Sequence, residues 1–154
     1  TETKVNPPIR GKGDMNCMIE GIIDGTIDAI ATDHAPHDSH SKSKGFEKSA
    51  FGISGIETSF AISYTELVRN NRINLSRLVE LMCTNPSDII NVDRGRLEVG
   101  KIADIAIINT DEKYVIDSEK FVSKGKNTPF NGKEVYGVVK YTVVNGKIVY
   151  REAE

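Results

Sequence analysis

Between positions 15 and 23 the apolar residues recur at a helical interval. Met15, Met18, Ile19, Ile22 and Ile23 fall at i, i+3, i+4, i+7 and i+8, one face of an amphipathic helix. Asp14 is placed to cap its start, and Gly25 to stop it. The helical interval ends there. Ile27-Asp28-Ala29-Ile30-Ala31-Thr32 is short and mostly apolar, and after a helix it predicts a buried strand of a parallel sheet that ends at Asp33-His34. Ahead of the helix, Pro7-Pro8 excludes helical structure and predicts an extended loop.

From Ser39 to Ser49 serines and lysines dominate, which predicts an exposed, mobile loop closed by Phe51-Gly52-Ile53. Ser54 and Glu57 have the spacing of a capping box and predict a second helix, with Ile56, Phe60, Tyr64, Leu67 and Val68 as its stripe. A third helix carries Leu75, Leu78, Val79 and Met82, with Asn74 as its cap, and Asn85-Pro86 restarts a short turn. Beyond Arg94 the period becomes that of strands. Residues 104–109, 114–116, 138–144 and 148–150 read as β, the last two flanking the hairpin signal Asn145-Gly146. The expected architecture is α/β, with residues 1–93 carrying helices and parallel strands and residues 94–154 forming a small all-β part.

Composition narrows the function classes. With 154 residues, 38% hydrophobic and 27% charged, the chain has enough apolar material for one core or two small ones. A formal net charge of -2 without a basic block speaks against a nucleic-acid partner. No apolar run approaches the length of a membrane span, and Thr1-Glu2-Thr3-Lys4 shows no signal-peptide character, so a cytoplasmic protein is expected. Cys17 and Cys83 lie in apolar helical stretches outside any C-x-x-C motif, so both are expected to be buried reduced thiols.

The segment Asp33-His34-Ala35-Pro36-His37 carries the clearest chemistry. A carboxylate at the C-terminal end of a buried strand sits where parallel α/β barrels place metal ligands and general bases. The same residue serves equally well as a turn or cap aspartate, and spacing leaves both readings open. His34, His37 and His40 recur every three residues, but one short polar loop rarely supplies a closed metal site, and His40 is expected in solvent.

These residues bring a family into view. Asp33-His34-Ala35-Pro36-His37 resembles the segment that closes the barrel in the dihydroorotases of the amidohydrolase superfamily. Lys4-Val5-Asn6-Pro7-Pro8-Ile9-Arg10 resembles the segment after their seventh barrel strand. Phe51-Gly52-Ile53-Ser54-Gly55-Ile56-Glu57-Thr58 resembles their substrate loop. Residues 96–104 resemble the superfamily's re-entry into its β-domain, and Asn127-Thr128-Pro129-Phe130 with the hairpin resembles the dihydroorotase C-terminus. A closing aspartate is common across the superfamily, whereas the Asn-Pro-Pro segment combined with Asp-His-Ala-Pro-His is much more specific.

The resemblance implies the last two β/α units of a (β/α)8 barrel followed by part of a β-sandwich domain. It implies a zinc-dependent hydrolase that interconverts dihydroorotate and N-carbamoyl-L-aspartate in pyrimidine biosynthesis. Asp33 matches the catalytic aspartate, which touches the metal and carries a proton between water and the amide nitrogen. Asn6 and His37 match substrate-contacting residues, and at Phe51-Gly52 the family uses its backbone. Outside the family, Asn6 reads as a turn residue, His37 as a solvated loop histidine and Phe51 as an apolar plug. The family's His-x-His, bridging lysine or aspartate and later histidines are missing. The chain is therefore expected to be a fragment that alone neither holds zinc tightly nor catalyses, and that associates through uncovered apolar faces into a homo-oligomer or with its missing part. Competing readings are an allantoinase or hydantoinase, an inactive dihydroorotase-like scaffold for aspartate transcarbamoylase, or a plain interaction domain.

Overall fold

A computed structural model describes residues 1–152 of the protein. Helix α1 spans Lys12–Asp24 and ends at Gly25, whose φ is 88°. It begins earlier than the apolar pattern predicts, because Gly11 takes the extended N-cap conformation and places Asp14 inside the first turn. There the carboxylate favours the helix through its position near the positive end of the backbone dipoles instead of capping it. No residue of α1 is fully buried. Ile19 and Ile22 pack against the core while Met15, Met18 and Ile23 face outward.

Two helices form the scaffold behind the site. α4 runs from a 3-10 turn, Ile56–Thr58, through α-helical Ser59–Ser63 into a wider π-type segment, Tyr64–Arg69. α5 is Leu75–Val79, π-type Glu80–Thr84 and Asn85–Ile89. The Asn74 side chain caps α5 by accepting the Arg77 N–H at 2.8 Å, as the sequence predicts. Tyr64, Leu67 and Leu78 make one buried cluster, with Phe60 stacked on Tyr64 at 5.6 Å between ring centroids.

The predicted capping box at the start of α4 does not form. The Ser54 hydroxyl donates to the Gly125 carbonyl at 2.6 Å, and the Glu57 carboxylate accepts the N–H groups of Val122 and Ser123 at 2.8 and 3.0 Å. Partners distant in sequence thus outcompete the local pair, and together they tie residues 122–125 to the head of α4. The vacated role falls to His34, whose Nδ1 accepts the N–H groups of Gly55 and Ile56 at 3.2 and 3.3 Å.

Residues 27–32 are extended but pair with no strand among the described residues, in contrast to the predicted sheet strand. The one parallel bridge nearby joins His34 to Ile53. α5 takes over the neighbouring strand's role for several backbone groups. Arg77 Nη2 donates to the Ile27 carbonyl at 3.0 Å, Asn85 Nδ2 to the Asp28 carbonyl at 2.9 Å, and the Ile30 N–H reaches the Leu81 carbonyl at 2.9 Å. Leu81 can accept because the Asn85 N–H is spent on Glu80, and Pro86, next along, has no N–H to offer. The sequence Asn85-Pro86 therefore opens a helical acceptor toward the extended segment.

Ser39–Ser49 is also more structured than its composition predicts. Helical turns α2, Ser39–Lys42, and α3, Gly45–Lys48, occupy it, Asp38 caps α2 through Ser41, and Lys42 and Ser49 are buried. The cysteines depart from expectation in the other direction, since both are exposed. α1 buries no residue and so does not enclose Cys17. Around Cys83 partial desolvation still pushes the thiol pKa up.

The C-terminal part is an antiparallel sheet in the order β1, Ile105–Val115; β2, Glu134–Val144; β3, Lys147–Arg151. The two strands predicted within β1 are one, interrupted by an irregularity between Asn109 and Lys113. Asn145 and Gly146 turn the β2–β3 hairpin with φ of 50° and 75°. β2 packs on α4, where Ala61 joins Ile116 and Val135 in a second buried cluster flanked by Phe121 and Phe130. Among the described residues no helix is long and apolar enough to cross a membrane.

Candidate active site

Three segments distant in sequence enclose a cleft of about 240 Å³: Val5–Pro7, Thr32–Ala35 without His34, and Phe51–Ile53. Backbone bonds hold them in register. The Gly52 N–H donates to the Lys4 carbonyl at 2.9 Å, and the Ala35 N–H donates to the Ile53 carbonyl at 3.0 Å. Gly52 has φ of 131°, and a Cβ there would lie 2.6 Å from the Ala35 carbonyl oxygen, so this approach admits only glycine.

Asp33 lies on the cleft wall in the left-handed region, φ 43°, which aspartate tolerates better than most residues. Its carboxylate is exposed and makes no hydrogen bond or ion pair among the described residues. Asn6 also lines the cleft, ahead of a cis peptide bond to Pro7, with an exposed side chain that likewise has no hydrogen-bond partner among the described residues. Both groups keep their full hydrogen-bonding capacity for a ligand.

His37 sits at the rim instead of in the cleft wall. Its Nε2 is 2.7 Å from the Phe51 carbonyl oxygen, which fixes the ring beside the Phe51-Gly52 peptide. Phe51 is exposed, and the Lys4 ammonium lies 4.5 Å from its ring centroid. All five residues singled out by sequence, Asn6, Asp33, His37, Phe51 and Gly52, therefore gather around one cleft. His40 is exposed on α2.

Two further residues shape the site without any local sequence signal. The Lys42 side chain is buried and its Nζ donates to the carbonyls of Ala50 and Gly52 at 3.0 and 2.9 Å. Burial pushes its pKa down, Glu2 opposes that shift and Lys4 reinforces it. Asn127 comes from the segment ahead of β2, and its Nδ2 donates to the same Gly52 carbonyl at 2.9 Å. Lys42 is hidden within a lysine- and serine-rich stretch, and Asn127 within a C-terminal motif with no marked chemistry.

An open carboxylate on a cleft suits one ligand position of a divalent zinc ion. Among the described residues, however, no group of three or more His, Cys, Asp or Glu side chains could hold a metal. Among the described residues Asp33 therefore stands as a single open carboxylate and not as part of a complete coordination shell.

The chain is similar to known proteins in both sequence and fold. The chain is 49% identical to a dihydroorotase of Thermoanaerobacter sp. (strain X514) over 99% of its length, which is 35% of that protein. It is 48% identical to a dihydroorotase of Clostridioides difficile (strain 630) over 97% of its length, again 35% of that protein. It thus spans about a third of the length of the curated relatives it matches. Among solved structures it is similar to an L-hydantoinase (dihydropyrimidinase) from Arthrobacter aurescens, with a TM-score of 0.92 and 34% identity over 98% of this chain and 35% of that one. A D-hydantoinase from a Bacillus sp. AR9 gives a TM-score of 0.91 at 29% identity, covering 97% of this chain and 34% of that one. The amidohydrolase family pattern matches residues 12–149. With nearly the whole chain inside that pattern and the cleft built largely from its segments, the protein belongs to the amidohydrolase family.

Proposed function

We propose that this chain is the C-terminal part of a dihydroorotase, acting in the cytoplasm on the ring amide between dihydroorotate and N-carbamoyl-L-aspartate. The observation that carries this reading is the convergence of Asn6, Asp33, Phe51 and Gly52 on one cleft with His37 fixed at its rim. Identity near one half to proteins named dihydroorotase supports it over other cyclic amides.

In hydrolysis, the oxygen of water forms a bond to the ring carbonyl carbon and the carbon–nitrogen bond breaks. The proton lost by water has to reach the departing nitrogen. Asp33, open to the cleft and without a competing partner among the described residues, carries that proton in both directions. The Asn6 amide, donor and acceptor at once, suits the edge of a ring amide. His37, its ring fixed on the Phe51 carbonyl, and the Phe51-Gly52 backbone position the substrate ring at the edge of the cleft. Asp33 would hold a zinc ion together with ligands from the rest of the protein, and such an ion would supply a lowered water pKa and a polarised carbonyl. The exposed apolar residues Ile9, Met15, Met18 and Ile23 are covered in the intact protein by its other units or by a second subunit.

The decisive experiment is turnover by the full-length protein of dihydroorotate, hydantoin and dihydrouracil in parallel. Formation of N-carbamoyl-L-aspartate is expected. Turnover of hydantoin without dihydroorotate would sink the reading in favour of a hydantoinase, the alternative favoured by the similar solved structures. An intact protein inactive on all three that co-purifies with aspartate transcarbamoylase would establish the scaffold reading instead.

A further inference from the structure

Beyond the residues that line the cleft, the bonds around the Phe51-Gly52 peptide form a closed ring. The His37 N–H donates to Asn127 Oδ1 at 3.3 Å, and Asn127 Nδ2 donates to the Gly52 carbonyl at 2.9 Å. Gly52 is bonded to Phe51, and the Phe51 carbonyl accepts from His37 Nε2 at 2.7 Å. One side-chain amide thus connects the backbone of the His37 loop to the backbone of the glycine loop. From these contacts we propose that Asn127 is a positioning residue of the active site, setting His37 and the Phe51-Gly52 peptide in register without itself lining the cleft. This deepens the function proposed above and rests on it.

Several features make the Asn127 amide specific to this role. Its oxygen and its nitrogen each have a required partner, so only one orientation of the side chain satisfies both. Its backbone is also fixed, because the Ser54 N–H donates to the Asn127 carbonyl at 2.8 Å. Two residues earlier, Gly125 lies so close to the Pro36-His37 backbone that a Cβ would be 2.8 Å from the His37 nitrogen and oxygen. The Ser54 hydroxyl holds the Gly125 carbonyl from the other side at 2.6 Å. A strap of the C-terminal part is therefore clamped between the two loops that carry the candidate substrate contacts. Replacing Asn127 leaves the strap in place, and Lys42 still holds the Gly52 carbonyl. The expected defect is a loss of alignment with the fold retained.

Two variants of the full-length protein separate this role from others. Asn127→Asp keeps an acceptor for the His37 N–H but sets a carboxylate against the Gly52 carbonyl. Asn127→Leu keeps the branching and the number of side-chain heavy atoms but has neither polar group. Both are expected to raise KM for dihydroorotate by about tenfold and to change kcat by less than about threefold, because Asp33 is untouched. Amide hydrogen exchange adds an independent readout. The His37 amide should lose protection in Asn127→Leu and keep it in Asn127→Asp, while the Ser54 amide stays protected in both. Unchanged KM together with unchanged His37 exchange would overturn the proposal. So would a matched fall in kcat and kcat/KM with a lowered melting temperature, which marks a purely structural residue. If the wild-type protein turns over hydantoin and not dihydroorotate, the substrate reading falls and KM for hydantoin decides Asn127. If it turns over neither, the His37 exchange pattern decides.

Discussion

The hairpin of β2 and β3 and the extended segment at residues 27–32 both read as strands in the sequence, yet they reach their structure by opposite routes. In the hairpin, two residues with positive φ reverse the chain, and the ladder zips from Val144 and Lys147 outward. The turn and the strand pairing that define it lie within a few residues. The extended segment has no such local partner. Its backbone is held by Arg77, Leu81 and Asn85 of α5, and the chain just beyond it is held by Ile53. A parallel strand depends on neighbours brought from elsewhere in the chain, whereas an antiparallel hairpin carries its own. The candidate site lies at the end of the dependent segment, where distant loops meet, and the hairpin's β2 packs on α4.

The contrast leads to measurable expectations in the full-length protein. The largest concerns Asp33 itself. Asp33→Asn keeps a residue that tolerates positive φ, so the melting temperature should hold while kcat falls by about 10²–10⁴-fold, the range for loss of a general acid–base. A variant that retains a tenth of wild-type turnover would remove Asp33 from the mechanism. Next is the helix that stands in for a neighbouring strand. Leu81 is fully buried, so Leu81→Ala should cost about 2–5 kcal/mol in urea unfolding, and a cost below about 1 kcal/mol would show that α5 is not a main support.

Gly52→Ala should cost about 1–3 kcal/mol and raise KM, since the added methyl meets the Ala35 carbonyl in a backbone region nearly restricted to glycine. In the hairpin, Gly146 also has positive φ, but a Cβ added there would meet nothing within 4 Å. Gly146→Ala should therefore cost only about 1 kcal/mol and leave KM alone. Equal effects on KM at the two glycines would erase the distinction between site and support.

The smallest effect is one of pH. The Asn145 N–H donates to the Asp104 carboxylate at 2.8 Å and, with Arg94, holds its pKa below the ordinary 3.8. A depressed carboxylate stabilises the fold above its unfolded pKa and loses that contribution as pH falls through the folded value. The hairpin anchor should therefore be intact at neutral pH and weaken only in acid below the ordinary carboxylate pKa. Thermal melts compared with Asp104→Asn should converge at the acid end, and convergence already at neutral pH would contradict this.

What can be read from the sequence follows the same division. Asn145-Gly146, the Asn74 cap and the apolar stripe through Tyr64 and Leu67 all depend on near neighbours, and all appear as expected. The Ser54–Glu57 pair looks local and is not, since its true partners lie at residues 122–125. Asp33 is recognisable as a strand-end carboxylate, but its left-handed backbone and its open oxygens come from the tertiary arrangement. Asn6, His37, Phe51 and Gly52 have to be read through family resemblance, because no periodicity marks residues that meet only across loops. Lys42 is concealed by composition, as one more lysine in a polar stretch that nevertheless buries it.

His34, adjacent to Asp33, has a consequence of its own. Two backbone N–H groups point at its Nδ1, so that nitrogen carries a lone pair and the ring proton resides on Nε2. A nitrogen-15 spectrum should therefore show one pyridine-like and one pyrrole-like resonance for this imidazole. The ring is a built-in spectroscopic reporter, and loss of that pattern would signal the head of α4 coming undone.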